Sequence, residues 1–351
     1  MCESGSLDVV RVGLIGCGTV GAAFAEALRA RQTAIAARYG LWIELCDVAV
    51  AHPDRRRLAL EGQGVSVHGD GAKLADDRRL DIVVEASTAG GAGAWLKAAL
   101  ARGAAVVTAN KAAIAGDRAL LDALVAPISW IWCEAAVGGA VPIVRGVRES
   151  LAGNDVLNIR GLLNGTTTYV LSRLEDGASL EQAVEAAQRA GYAEADPTAD
   201  LSGADAAAKL AILATLAWGE PVSSDAVITR GVDSRTIGSF ADLLRQRDGR
   251  AARVRVVASA ARSEATVIVR GFVSPAVIAF GDALHATQGV ENVIEIETQL
   301  AGTLTWRGAG AGGAATASAL LADTIAAARA LVRGGRALAR DGRDGVDSWR
   351  E

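Results

Sequence analysis

Along the chain, short runs dense in valine, isoleucine and leucine alternate with longer stretches in which alanine and leucine recur at helical spacing. Val9–Ile15 reads as a strand that stops at Gly16-Cys17-Gly18, and the alanine-rich Val20–Arg31 reads as the helix after it. Further strand-like runs follow at Trp42–Ala51, Leu80–Ala86, Ala104–Thr108 and Ile128–Glu134, with helical patterns at Ala92–Ala101 and Arg118–Val125 between them. Strands that alternate with helices predict an α/β domain with a doubly wound parallel sheet. After Pro142 the texture changes. Long helical patterns (Leu180–Ala190, Ala204–Ala217) mix with β-rich runs (Val254–Ala260, Thr266–Phe272, Val293–Leu300), which predicts a second, α+β domain. The glycine-dense Gly308–Gly313 then leads into a last helical pattern, Ala315–Val332, and the polar Asp341–Glu351 reads as a frayed end.

Composition narrows the class. With 351 residues, 51% of them hydrophobic, the chain can build large cores and more than one domain. The net charge is −4 and no basic run extends beyond Arg55-Arg56-Arg57, so the electrostatic footprint of a nucleic-acid binder is missing. Charges such as Glu85 and Lys97 break the apolar segments short of bilayer length, and Met1-Cys2-Glu3-Ser4 has neither the basic nor the apolar region of a signal sequence. The expected location is the cytoplasm, with no membrane partner. Cys2, Cys17, Cys46 and Cys133 are far apart and form no C-x-x-C pair, so no disulfide framework is expected. His52, His68 and His285 stand at no metal-ligand spacing, so no zinc site is expected either.

Chemistry enters at the glycines. Gly16, Gly18 and Gly21 form G-x-G-x-x-G between a strand and a helix, where they serve the turn, the approach of a pyrophosphate and helix packing. That pattern implies a Rossmann-type dinucleotide site; its plainer reading is a tight βα turn. The second strand ends Val48-Ala49-Val50-Ala51-His52-Pro53, with no acid placed to accept from a ribose 2′-hydroxyl. Arg55, with Arg56 and Arg57, is suited to a 2′-phosphate, which favours NADP over NAD, although the triplet also suits a solvated first helical turn. Thr108-Ala109-Asn110-Lys111 closes a strand at its C-terminal end, where open α/β sheets bind ligands, so Lys111 is a candidate catalytic or cofactor-facing lysine as well as an ordinary surface one. The stretch Glu134–Pro142 combines an acid, two glycines and a proline, which suits a hinge or a loop whose carbonyls face a ligand or hard cation. Gly191–Lys209 holds Glu194, Asp196, Asp200 and Asp205 before one lysine. Asp205 and Lys209 stand at i and i+4 on one helical face, either a functional pair or a surface ion pair.

Taken in order from about Arg11 to about Val332, these segments resemble homoserine dehydrogenases. The matching pieces are Gly16–Gly21, Ala109-Asn110-Lys111, Glu134–Pro142, Asn164-Gly165-Thr166-Thr167, the Gly191–Lys209 signature, and Gly308–Gly312 leading to Thr316-Ala317. The resemblance implies reversible NAD(P)H-dependent reduction of L-aspartate 4-semialdehyde to L-homoserine, on the way to threonine and methionine. A dehydrogenase for another 2-amino aldehyde or hydroxy amino acid is the alternative. By the same resemblance Lys209 gives the proton, Asp205 holds the substrate and orients Lys209, and Lys111 assists between cofactor and substrate. Glu194 and Asp200 grip the substrate ammonium. The cofactor falls to Gly16, Gly18, Thr19, Val20, Gly21, Arg55, Ser87, Asn110, Lys111, Gly308 and Gly312, and a sodium-like ion to the carbonyls of Glu134, Val137, Gly139 and Val141.

The implied layout is a nucleotide-binding domain over 1–141, a substrate-binding and dimerisation domain over 142–307, and a segment 308–351 that returns to the first domain. A homodimer is implied as well. Thr168, where the family usually has asparagine, and Ala140, where it often has glycine, depart from the pattern. The chain is also about 80 residues short of carrying a further regulatory amino-acid-binding domain after its last helix, so feedback inhibition through one is not expected.

Overall fold

The computed structural model describes residues 7–53, 64–240, 252–262 and 269–334. They fold into two compact units. The first takes the chain up to Asn110, the piece Trp130–Cys133 and the chain from Thr316; the second takes Lys111–Ser129 and Glu134–Ala315. The expected cut at 141 is thus an interleaving. Ile131–Trp132 pairs in register with a strand of the first unit, while the helix that starts at Lys111 packs on the central helix of the second.

The first unit runs β1 (Asp8–Ile15), α1 (Thr19–Tyr39), β2 (Leu41–Ala49), β3 (Ser66–His68), α2 (Gly71–Asp76), β4 (Ile82–Glu85), α3 (Ala92–Ala101), β5 (Ala105–Thr108) and β6 (Ile131–Trp132). Its sheet has the order β3-β2-β1-β4-β5-β6, parallel throughout. Such a sheet is covered on both faces, and its central strands therefore read as continuous apolar runs: Ile82, Val83, Val84, Val106 and Val107 have no exposed surface. The strand order reverses between β1 and β4, the switch point at which ligands bind in doubly wound sheets. Helix α1 runs on past Arg31 to Tyr39. Its polar stretch Arg31-Gln32-Thr33 looks like an ending, but Arg31 and Thr33 face solvent while Gln32 donates to Ile43 O at 3.0 Å, and the helix goes on to bury Ile35 and stops at left-handed Gly40. The last described helix, Gly313–Arg333, is long and apolar enough by length and composition to cross a membrane, with mean hydropathy 1.4. It also buries Ala317, Leu320, Ala327 and Leu331, and stacks the Arg329 guanidinium 5.1 Å from the ring centre of Tyr39, as a core helix of the first unit does.

The second unit contains α4 (Lys111–Ala115), α5 (Arg118–Leu124), β7 (Val156–Leu162), α6 (Gly165–Glu175), α7 (Leu180–Arg189), α8 (Ala204–Trp218), β8 (Val227–Thr229), β9 (Arg253–Arg262), β10 (Val269–Ile278), β11 (Glu291–Thr298) and β12 (Gly302–Ala309). Its sheet has the order β12-β11-β7-β9-β10-β8, antiparallel except where β8 meets β10. Helix α8 lies against that sheet and is apolar nearly all round: every residue from Ala206 to Thr215 is buried. Left-handed glycines bound it at both ends, Gly203 at φ 86° and Gly219 at φ 68°. That burial carries the first turns of α8, with Asp205 and Lys209, into the interior of the unit.

Candidate active site

In the first unit three loops at the C-terminal ends of β1, β4 and β5 come together. Gly16 adopts φ +89°, donates its N–H to Ala49 O at 2.8 Å, and leaves no room for a side chain against Ala86 and Ser87. A Cβ on Gly21 would fall inside the carbonyl oxygen of Gly16, so this glycine is demanded by the packing of α1. Gly18, which precedes Thr19 and Val20 at the start of α1, is different. A Cβ there would meet nothing within 4 Å, so the protein leaves open space at the positive end of a 21-residue helix, an end that favours an anionic group.

Beside it, fully buried Glu85 ties the neighbouring loops together. It accepts from Ser87 N (2.8 Å), Ser87 Oγ (2.6 Å) and Thr108 Oγ1 (2.8 Å), while Asn110 Nδ2 donates to Ser87 O at 3.2 Å. Burial pushes the Glu85 carboxyl above its ordinary range, against the donors on Ser87, Thr108 and Asn110. In the sequence Glu85 stands out only as a charge that interrupts an apolar run. The signal of its structural role is that a carboxylate inside an otherwise apolar, fully buried strand needs partners. Asp47, near the end of β2, is buried and paired with Arg79 at 3.3 Å. Arg55, Arg56 and Arg57 lie outside the described residues.

In the second unit Lys111, Asp200, Asp205 and Lys209 form one cluster. Lys209 Nζ meets Asp205 Oδ2 at 2.8 Å and donates to Leu163 O at 2.7 Å; Lys111 Nζ meets Asp205 Oδ1 at 3.0 Å. Lys209 is only 9% exposed, so the i,i+4 pair is an interior one rather than the surface pair its spacing equally allowed. An ammonium has three N–H bonds, and these two partners leave Lys209 one to offer a ligand. Asp205 is held well below the usual carboxylate range: burial opposes its charge, but Lys209, Lys111 and the donor on Asn164 outweigh burial. Burial likewise works against Lys111, and the Asp205 carboxylate, helped by Asp200 and Glu194, turns the net shift upward.

The junction of β7 and α6 completes the cluster. Leu163 supplies the carbonyl for Lys209, and Asn164 Nδ2 donates to Asp200 Oδ1 (2.6 Å) and Asp205 Oδ2 (2.9 Å). Asn164 Oδ1 caps α6 by accepting from Thr167 N at 2.8 Å. Thr168 donates its hydroxyl to Asn164 O at 3.1 Å, a local use for the residue that replaces the family's asparagine. Glu194 stays on an exposed loop and reaches the cluster through its charge on Lys111.

The Glu134–Val141 stretch is tightly held. Glu134 accepts from Val144 N and Arg145 N, left-handed Gly139 backs onto Gly310, and Ala140 N donates to Ala309 O at 3.0 Å. The stretch offers backbone carbonyls, the donor type an alkali cation takes, although Val141 O already accepts from Ile143 N. Gly308 faces Val141, and Gly312 has φ +120° with open space around its Cα.

Two family descriptions match the chain: "Homoserine dehydrogenase, NAD binding domain" over residues 16–128 and "Homoserine dehydrogenase" over residues 142–325. The homoserine dehydrogenase of Corynebacterium glutamicum is 36% identical over 337 residues, covering 94% of this chain and 74% of the relative. That of Mycobacterium tuberculosis is 37% identical over 338 residues, covering 93% and 74%. Among solved structures, a homoserine dehydrogenase from Thiobacillus denitrificans superposes with a TM-score of 0.82 at 32% identity, over 93% of this chain and 75% of the other. A hyperthermophilic archaeal homoserine dehydrogenase in complex with NADPH gives 0.75 at 26%, over 91% and 97%. With a dinucleotide cradle in one unit and a buried lysine–carboxylate cluster in the other, the chain belongs to the homoserine dehydrogenase family of NAD(P)-dependent oxidoreductases acting on a CH–OH group.

Proposed function

We propose that this chain catalyses the reversible reduction of L-aspartate 4-semialdehyde to L-homoserine, with Lys209 as proton donor to the forming alkoxide. The observation that carries the reading is the buried Lys209, ion-paired to Asp205, fixed by Leu163 O and left with one N–H to give. The nicotinamide, when bound, supplies the hydride. The chain's own task is then to bind, orient and hand over one proton. Asp205 orients Lys209, Lys111 offsets the charge gathered around it, and Asp200 with Glu194 receives the substrate ammonium. Gly16, Gly18, Thr19, Val20, Gly21, Ser87 and Asn110 hold the cofactor, with Gly308 and Gly312 on the later loop, and Arg55 pairs with the 2′-phosphate of NADP in preference to NAD. A sodium ion rests on the carbonyls of Glu134, Val137, Gly139 and Val141. The enzyme works as a cytoplasmic homodimer.

The test is oxidation of L-homoserine by the purified protein with NAD and with NADP, in sodium and in tetramethylammonium salts. The expected result is turnover with a higher kcat/KM for NADP, lowered when sodium is withdrawn. No reduced cofactor from either dinucleotide would sink the reaction itself. Equal use of both cofactors removes the Arg55 argument, and indifference to sodium removes the cation.

A further inference from the structure

Asp200 and Asp205 sit on separate elements, the helical turn Thr198–Leu201 and the first turn of α8, on either side of left-handed Gly203. Both are drawn toward one place, where two carboxylates repel. Both lysines reach Asp205 directly. The group that reaches across to both carboxylates is the Asn164 amide, whose two N–H bonds go one to each, at 2.6 and 2.9 Å. We infer that Asn164 is a positioning residue: its single amide nitrogen bridges Asp200 and Asp205 and holds the two carboxylates side by side, so that Asp200 can receive the ammonium of the substrate. The inference rests on reading this cluster as the substrate site.

Three helices and one loop present charged or polar groups to the carboxylate pair. Lys111 faces it from α4, Lys209 from α8, the amide of Asn164 and the hydroxyl of Thr166 from the start of α6, and the Glu194 charge from the exposed loop. Burial pushes the Asp200 carboxyl upward, the Asp205 charge adds to that, and Asn164, Lys209 and Thr166 oppose it. Removing the amide therefore moves Asp200 further toward neutrality, and a neutral carboxyl no longer holds an ammonium. Asn164 has a second task, since its Oδ1 caps α6, and a useful variant must leave that cap in place. Serine and aspartate both cap well. Asn164→Ser loses the bridge, and Asn164→Asp replaces the donor by a third carboxylate at nearly the same volume.

For Asn164→Ser the expected result is a KM for homoserine raised about tenfold, the scale of a lost charge-assisted hydrogen bond, with the KM for the cofactor little changed and the melting midpoint lowered, because the buried carboxylates lose two donors. The acid limb of kcat/KM moves to higher pH, and Asn164→Asp moves it further. Carbon-13 NMR of the labelled aspartates, with Asp200 assigned by substitution, should show Asp200 titrating at higher pH in both variants than in the parent. An unmoved Asp200 titration in a folded variant overturns the inference. So does an unmoved acid limb in a protein that turns homoserine over. If the parent does not oxidise homoserine, the proposed reaction fails, while the NMR titration still decides whether Asn164 bridges the carboxylates. Should Asn164→Ser not fold, Asn164→Asp, which caps comparably and keeps the side-chain volume, gives the same reading.

Discussion

Lys209 owes its place to the apolar helix that carries it. A lone lysine among Ala206, Ala207, Ala208 and Leu210 would be expelled, but Asp205 one turn back and Leu163 O across the unit satisfy it. Replacing it with alanine is expected to lower kcat by about a hundredfold or more, the usual worth of a positioned acid, with cofactor affinity unchanged. The stability cost exceeds that of a surface pair. Asp205 keeps Lys111 and Asn164, so the buried carboxylate is not stranded, and a loss of about 1–3 kcal/mol is expected rather than the larger cost of an orphaned charge. Steady-state kinetics and thermal melts of Lys209→Ala check both. Normal turnover removes Lys209 from the proton-donor role whatever the substrate proves to be.

At the scale of elements, the glycine turn separates two kinds of glycine. Gly18→Val is expected to leave the melting midpoint within a few degrees and abolish cofactor binding, because its Cβ enters space that the protein itself does not use. Gly21→Val drives a side chain into Gly16 O and is expected to unseat α1, with a clear loss of stability. Calorimetric titration with NADPH beside thermal melts distinguishes the two, and retained affinity in Gly18→Val moves the cofactor elsewhere. Elements with long apolar runs or strong helical period, such as β1, β4, β5, α3 and α8, are legible in the sequence. Those that depend on distant partners are not. β3 is three residues, Ser66-Val67-His68, at a sheet edge, and β12 alternates exposed Thr303, Thr305 and Arg307 with half-buried Leu304 and Trp306. Helix α6 opens with Gly165 and three threonines, poor helix formers, and is carried by the Asn164 cap and the burial of the threonines. The Asp205–Lys209 pair can be seen from its spacing; the Asn164 bridge cannot, since its partners stand 36 and 41 positions away.

For the whole molecule, the homodimer reading draws on the second sheet. Ile228 and Phe272 stand opposite each other on β8 and β10 with 59% and 42% of their surfaces exposed, an apolar patch whose burial would contribute to association. Phe272→Asp is expected to shift the protein from dimer to monomer by light scattering after size exclusion; a parent that is already monomeric ends that reading. The interleaved division of the chain bears on how the protein is made. The first unit includes the last helix from Thr316 to Arg333, yet Lys111–Ala315, apart from Trp130–Cys133, belongs to the other. A ribosome adding about 10 residues per second spends on the order of 20 s between the two parts of the first unit. Through that interval the nascent nucleotide-binding sheet waits without its closing helix, exposed to chaperones and proteases, while the inserted unit can already fold. Synthesis order thus makes the cofactor domain, first to emerge, the last to be completed.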